Sequence, residues 1–214
     1  MSYEVKVERH TFGGSDWWIR SLLDRCQYDD ADGEAERRGI PAASWPYFGQ
    51  VWAAGLSLAD TMGGFDLHGR RVLEIGCGLA LGGLVSHRRG ADVTVSDRHP
   101  LTEAFLGENL RLNQLGPLPY RDLDWSAPHP TLGRFDVVIG SDLLYEPEHA
   151  RDLARFADDH LTDAGAMLLV DPGRGRCAAF SRMMATTGFS GSDHHLGGSR
   201  TRILQFSRGA LTDR

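Results

Sequence analysis

The stretch "VLEIGCGLALGG", residues 72–83, decides how this chain is read. It is an apolar run that closes on glycines at 76, 78, 82 and 83. After a buried parallel strand, such a turn lets backbone N–H groups and a helix N-terminus approach a ligand closely. The dinucleotide fingerprint GxGxxG needs a glycine at 81, where Leu81 stands, so that pattern fails by one position. Glu74 lies two places before the first glycine, in an otherwise apolar strand end, where a carboxylate is costly unless paired or hydrogen-bonded. Asp97 ends the next apolar run, where an acid accepts ribose hydroxyls in either class of nucleotide.

Outward from this turn, apolar strands alternate with helical segments. The pattern predicts strands over 70–75, 92–97, 135–142 and 166–171, with a short one around "YRDLD" at 120–124. Helices are expected over 79–90, 148–161 and 176–187. Another is expected to start at His99-Pro100, with Leu101, Phe105, Leu112 and Leu115 on one stripe and Gly116 as its end. The runs "DVVIG" and "AMLLV" are what strands buried on both faces look like. "FSGSDHHLG" and "TRILQFS" have no helix between them, which implies a closing antiparallel hairpin. The expectation is an α/β fold: a seven-stranded sheet of five parallel-type strands plus that hairpin, with helices on both faces. Residues 1–69 are less regular, turning helical over 51–61. We expect one domain over 1–214, with 1–69 a cap on a core of 70–207.

Composition narrows the function. The 214 residues are 41% hydrophobic and 24% charged, ordinary for a soluble globular protein. A net charge of −6 argues against broad binding to nucleic acid. No apolar run approaches the roughly 20 residues that span a bilayer, and the N-terminus lacks a signal peptide's apolar core, so we expect no membrane and a cytoplasmic location. Three scattered cysteines argue against a disulfide framework and a CxxC metal site; no metal is expected. His194-His195 reads as strand surface, since neighbours on a strand point to opposite faces. Cys77 reads as a small buried residue.

"EIGCGLA", with "SD" closing the second strand, resembles the S-adenosylmethionine (AdoMet) motifs of seven-strand methyltransferases, with Ala80 in the place of a third glycine. That resemblance runs over about residues 45–207 and implies a Rossmann-like sheet. "VWAAGLSLAD" (51–60), "LDW" (123–125) and "SDLLYEPEH" (141–149) are more specific. They resemble the lysine methyltransferase-like family that includes bacterial nicotinamide N-methylase-like proteins. One departure is Ala53 after Trp52, where many relatives carry proline. The resemblance implies AdoMet as cofactor, with Gly76 and Gly78 passing its methionine part and Glu74 organising polar contacts beneath. Asp97 would hold the ribose with Arg98 beside it. Asp124 would accept the adenine amine, Trp125 flank the ring, Trp52 cover the methionine end, and Ser141 end the fourth strand by the sulfonium. Asp142 and Tyr145, three positions apart, would project together if a helical turn starts there, to orient an amine and help remove its proton.

The expected activity is therefore AdoMet-dependent N-methylation, of a lysine on a protein partner or otherwise of a small amine or heterocycle. Trp17, Trp18, Trp45 and Phe48 would then form a lid or pack on the sheet, and Arg174 and Arg176 line the acceptor entrance or a solvated loop. An NAD(P)-dependent oxidoreductase is disfavoured by the failed fingerprint. It is disfavoured too by the lack of a Tyr-x-x-x-Lys pair in a chain whose single lysine is Lys6. A non-catalytic binding module is disfavoured because Asp97, Asp142 and Tyr145 are all intact.

Overall fold

The computed structural model describes residues 3–208. It opens with a hairpin, β1 (Val5–Phe12) and β2 (Ser15–Leu22), then α1 (Glu34–Arg37), a 3-10 helix (Ala42–Gly49) and α2 (Ala53–Gly64). The core alternates β3 (Arg71–Ile75), α3 (Leu81–Arg88), β4 (Asp92–Asp97), α4 (Thr102–Leu112), β5 (Tyr120–Asp122), β6 (Phe135–Ser141), α5 (His149–His160), β7 (Leu161–Asp171) and α6 (Cys177–Thr186). It closes with β8 (Ser190–His195) and β9 (Arg202–Ser207). The seven strands lie in the order β5-β4-β3-β6-β7-β9-β8. All pairings from β5 to β7 are parallel; β9 runs antiparallel to both β7 and β8. This is the α/β architecture the alternation implied.

Alternate residues of each strand feed two apolar cores. Val72, Val95, Val137, Ile139 and Val170 pack on one face with α2, α3 and α4. Leu73, Ile75, Val138, Met167 and Leu169 pack on the other with α5 and α6. Glu74 shares its face with Val72, which aims it under the first turn of α3. The strand order reverses between β4 and β6 around the central β3, and the crevice over that reversal is where open α/β sheets bind ligands.

Three expectations need correction. Helix α4 begins at Thr102 and stops at Leu112, not Gly116, because Gln114 takes the left-handed turn (φ 56°). Its buried stripe is Phe105, Leu106, Asn109 and Leu110, rotated from the predicted one, with Leu101, Leu112 and Leu115 half-buried. The cause is polar. Asn109 and Asn113 each accept from and donate to the backbone of Arg20 and Trp18, so two amides one helical turn apart pair with β2 like a strand. Strand β7 starts at Leu161, directly after α5, with residues 162–165 absorbed where the register to β6 shifts. The hairpin β1–β2 was missed. Its signal was present: Gly13-Gly14 (φ 56° and 74°) between alternating strands, with Trp17, Ile19 and Ser21 inward and Trp18 and Arg20 outward.

Candidate active site

Gly76 (φ 56°) and Gly78 (φ 51°) turn the chain out of β3 in a conformation that favours glycine. A Cβ on Gly76 would lie 2.6 Å from Leu143, and one on Gly78 would lie 2.8 Å from the Phe48 carbonyl oxygen. Ala80 holds the left-handed position (φ 56°) before α3. The Gly83 N–H donates to Glu74 Oε2 at 2.6 Å, and Glu74 is 2% exposed. Burial pushes its carboxyl up to about 8, against the pull of the Gly83 and Gly82 N–H groups, so it is largely protonated near neutral pH.

Asp97, at the end of β4, is held by backbone. Its Oδ2 accepts from Gly78 N–H at 2.9 Å and its Oδ1 from His99 N–H at 2.8 Å. Burial raises its carboxyl, opposed by those two N–H groups. Each oxygen keeps a lone pair for a further donor. Arg98 pairs with Asp124 at 3.4 Å, and Asp124 also accepts from the N–H and O–H of Ser126. The ring of His99 stacks on Phe48 with centroids 3.8 Å apart. Burial pushes its imidazole down to about 3, so it is neutral.

Trp52 stands at the entrance to α2, donating to the Tyr47 carbonyl at 2.9 Å and meeting the Tyr47 ring edge-on. Ala53 is the first helical residue, a position that accepts alanine or proline alike.

Across the crevice, Ser141 ends β6 and Asp142 follows in the left-handed region (φ 56°), its N–H donating to Val170 O at 2.8 Å. No helical turn starts at Asp142; α5 begins only at His149. The carboxylate of Asp142 instead takes both Nε and Nη2 of Arg174, the latter at 2.7 Å. Tyr145 is 37% exposed and meets the His149 ring edge-on at 4.4 Å. Trp125 meets the same imidazole from another side at 4.8 Å. His149 Nδ1 lies 2.7 Å from the Leu143 carbonyl oxygen and 3.3 Å from the Glu146 backbone nitrogen.

One cavity of about 700 Å³ is lined by Trp52, Glu74, Gly76, Gly78, Asp97, Arg98, Asp124, Trp125, Ser141, Asp142 and Tyr145 together. Those are all the residues expected to bind the cofactor or to catalyse. Its wall also includes Arg25, Tyr47, Phe48, His99, His149 and Arg174, of which only Arg174 and Phe48 drew notice. His149 closes the stretch "SDLLYEPEH" but was given no role there; it packs edge-on against Tyr145. Of the N-terminal aromatics, Trp17, Trp45 and Phe48 are buried and Trp18 is exposed, so three of the four are packed into the body. Arg176 stands outside the lining, at the N-cap of α6, and His194 and His195 are exposed on β8. Burial raises the Cys77 thiol well above its usual value, which keeps it protonated.

The family model for lysine methyltransferases matches residues 46–176, more than half of the chain. This chain belongs to that family. A Danio rerio relative, protein N-lysine methyltransferase METTL21A, is 30% identical over 141 residues, covering 63% of this chain and 62% of that one. The Mus musculus electron transfer flavoprotein beta subunit lysine methyltransferase is 26% identical, covering 73% and 60%. The histone-arginine methyltransferase METTL23 of Xenopus laevis is 31% identical over 48% and 47%. The chain thus spans at most about three fifths of the length of these relatives. Among solved structures, a ribosomal protein L11 methylase from Lactobacillus delbrueckii matches with a TM-score of 0.58 at 20% identity, covering 72% of this chain and 77% of that one. A T. thermophilus 16S rRNA methyltransferase in complex with AdoMet and guanosine matches at 0.64 and 17%, covering 98% and 52%. At those identities the likeness shows the fold.

Proposed function

We propose that this chain is an AdoMet-dependent N-methyltransferase that acts on a lysine side chain of a protein partner. The observation that carries this reading is the single cavity in which the glycine turn and Asp97 face Asp142 and Tyr145. Family membership supports the same activity.

The residues present fit AdoMet. The glycine turn packs so closely on Leu143 and Phe48 that a Cβ at 76 or 78 would push the backbone lining the cavity out of place. Asp97 has acceptor capacity left for ribose hydroxyls. The cavity is within the usual range for a cofactor and part of an acceptor. Gly76 and Gly78 would border the methionine part, Glu74 would brace the turn from below, and Trp52 would cover it. Arg98, Asp124 and Trp125 would enclose the adenine, with Ser141 at the reactive end. AdoMet supplies a methyl group on a sulfonium, a good leaving group for displacement by a nitrogen lone pair.

The chain's own work is then alignment and exclusion of water. Asp142, held by Arg174, and the Tyr145 hydroxyl, whose ring leans on His149, line the same cavity and offer it an acceptor and a donor with no helical turn between them. Burial holds the Tyr145 phenol above its ordinary value, so it serves as a neutral hydrogen-bonding group near neutral pH.

The test is tritiated AdoMet added with the protein to a lysate then separated by size. Label in a discrete protein band, recovered as methyl-lysine on hydrolysis, is the expected result. Label confined to the small-molecule fraction would reject the protein substrate while leaving the transfer chemistry standing.

A further inference from the structure

The pair between Asp142 and Arg174 is built from both sides. Asp142 is fixed by its left-handed backbone and its N–H bond to Val170. Arg174 is presented by a turn in which Asp171, 1% exposed, accepts from the N–H groups of both Gly173 and Arg174. Gly173 is required there: its φ is 92°, and a Cβ would meet the Arg200 carbonyl oxygen at 2.9 Å. A guanidinium gripping a carboxylate with two parallel bonds is a strong and directional pairing, and it does not deprotonate. Side-chain exposures of 11% for Asp142 and 44% for Arg174 put the carboxylate inside and the cation toward solvent.

From this we infer that Arg174 is a positioning residue that neutralises Asp142, so that the site takes up its acceptor as the free amine and not as the ammonium ion. The inference rests on the methyltransferase reading above. An amine that arrives charged must lose a proton before its lone pair can attack, and a naked carboxylate beside the methyl group would hold it in the wrong form. With Arg174 in place, the carboxylate can orient an N–H but adds no net negative charge. The neighbours do not undo this. Glu74, from β3, is largely protonated. On α5, His149 is depressed by burial and so stays neutral, and Tyr145 is neutral as well. Asp171, from β7, accepts from the N–H groups of its own loop and reinforces the positive charge of Arg174, while Asp97, from β4, is held by the Gly78 and His99 N–H groups. Arg98, after β4, is matched by Asp124, while Tyr47 approaches Arg174 from the 3-10 helix. Glu146 is exposed at the rim, and Arg25, over the Trp52 ring, brings a cation to the same cavity.

The test uses two AdoMet analogues. Sinefungin carries an aliphatic amine where the methyl group sits; S-adenosylhomocysteine has nothing there and is otherwise closely matched. An aliphatic amine is charged in water at pH 7.5. Calorimetry in two buffers of different ionisation enthalpy therefore counts the protons released when it binds. For the wild type we expect sinefungin to release about one proton more than S-adenosylhomocysteine, as follows from uptake of the neutral amine. Arg174→Met should bring that difference toward zero and raise sinefungin affinity relative to S-adenosylhomocysteine roughly tenfold, as an unpaired carboxylate gains an ammonium partner. Arg174→Lys, which keeps the charge without the fork, should restore the release. Equal proton counts for the two analogues in the wild type would overturn the inference, as would Met and Lys variants that behave alike. Failure of S-adenosylhomocysteine itself to bind would instead reject the AdoMet reading beneath it.

Discussion

On the β3–β4 side of the crevice, the acids are satisfied by main-chain N–H groups: Glu74 by Gly83, Asp97 by Gly78 and His99. On the β6–β7 side, side chains meet one another: Asp142 is gripped by Arg174, and Tyr145 leans on the His149 ring. Main-chain partners move only if the fold moves. Side-chain partners can exchange with a visitor at the cost of a rotamer. A surface that binds an invariant cofactor suits the first design, and one that admits and releases an acceptor suits the second.

The largest effect should come from the rigid side. Gly78→Val places a branched side chain against the Phe48 carbonyl in a left-handed backbone. AdoMet affinity should fall at least about 100-fold, corresponding to roughly 3 kcal/mol of clash and strain. Gly90→Val is the control: its φ is 81° but a Cβ there meets nothing within 4 Å. If both variants bind AdoMet equally badly by calorimetry, backbone strain and not close approach is the cause.

A smaller effect belongs to the exchangeable side. Tyr145→Phe keeps the ring that leans on His149 and deletes the hydroxyl. We expect AdoMet affinity within about twofold of the wild type and turnover down roughly tenfold. Full turnover on the lysine acceptor would remove the hydroxyl from the mechanism.

The same contrast explains what could be read in advance. Strand and helix order from residue 71 follows from continuous apolar runs, the helical segments between them and glycine stops, and it matches the sheet. The β3–β4 residues were legible because their backbone geometry demands fixed residue types at fixed spacing. The partners on the other side were not. Arg174 lies far along the chain from Asp142, and no local pattern announces that a loop after β7 reaches back to β6. The β1–β2 hairpin was passed over for a related reason: its edge is closed by Asn109 and Asn113 of a distant helix, which read as ordinary helix surface.

Glu74 offers a test by pH. Its folded value of about 8 lies above the unfolded value near 4.5, so between those limits the folded state binds the extra proton. Its contribution to stability is then full at low pH and lost as pH rises through that window, by on the order of 1 kcal/mol per unit. His99 acts oppositely but lower: held neutral when folded, it costs stability only below its unfolded value near 6.5. Glu74→Gln should therefore gain on the wild type steadily from pH 5 to pH 8 in urea melts. Parallel curves would mean that Glu74 stays ionised in the fold.

The smallest effect concerns Ala80, the residue of the turn that is left-handed without being glycine. Its left-handed backbone costs about 1–2 kcal/mol. Changing it to glycine would relieve that, but would free the unfolded chain by about 0.4–1 kcal/mol. It would also remove a fully buried methyl worth about 0.8 kcal/mol. The terms nearly cancel, so Ala80→Gly should leave Tm within about 3 °C of the wild type. Ala80→Val, whose branched side chain fits neither the space nor the backbone, should lower it clearly. A large gain from glycine would show that the turn carries strain for which the buried methyl does not compensate.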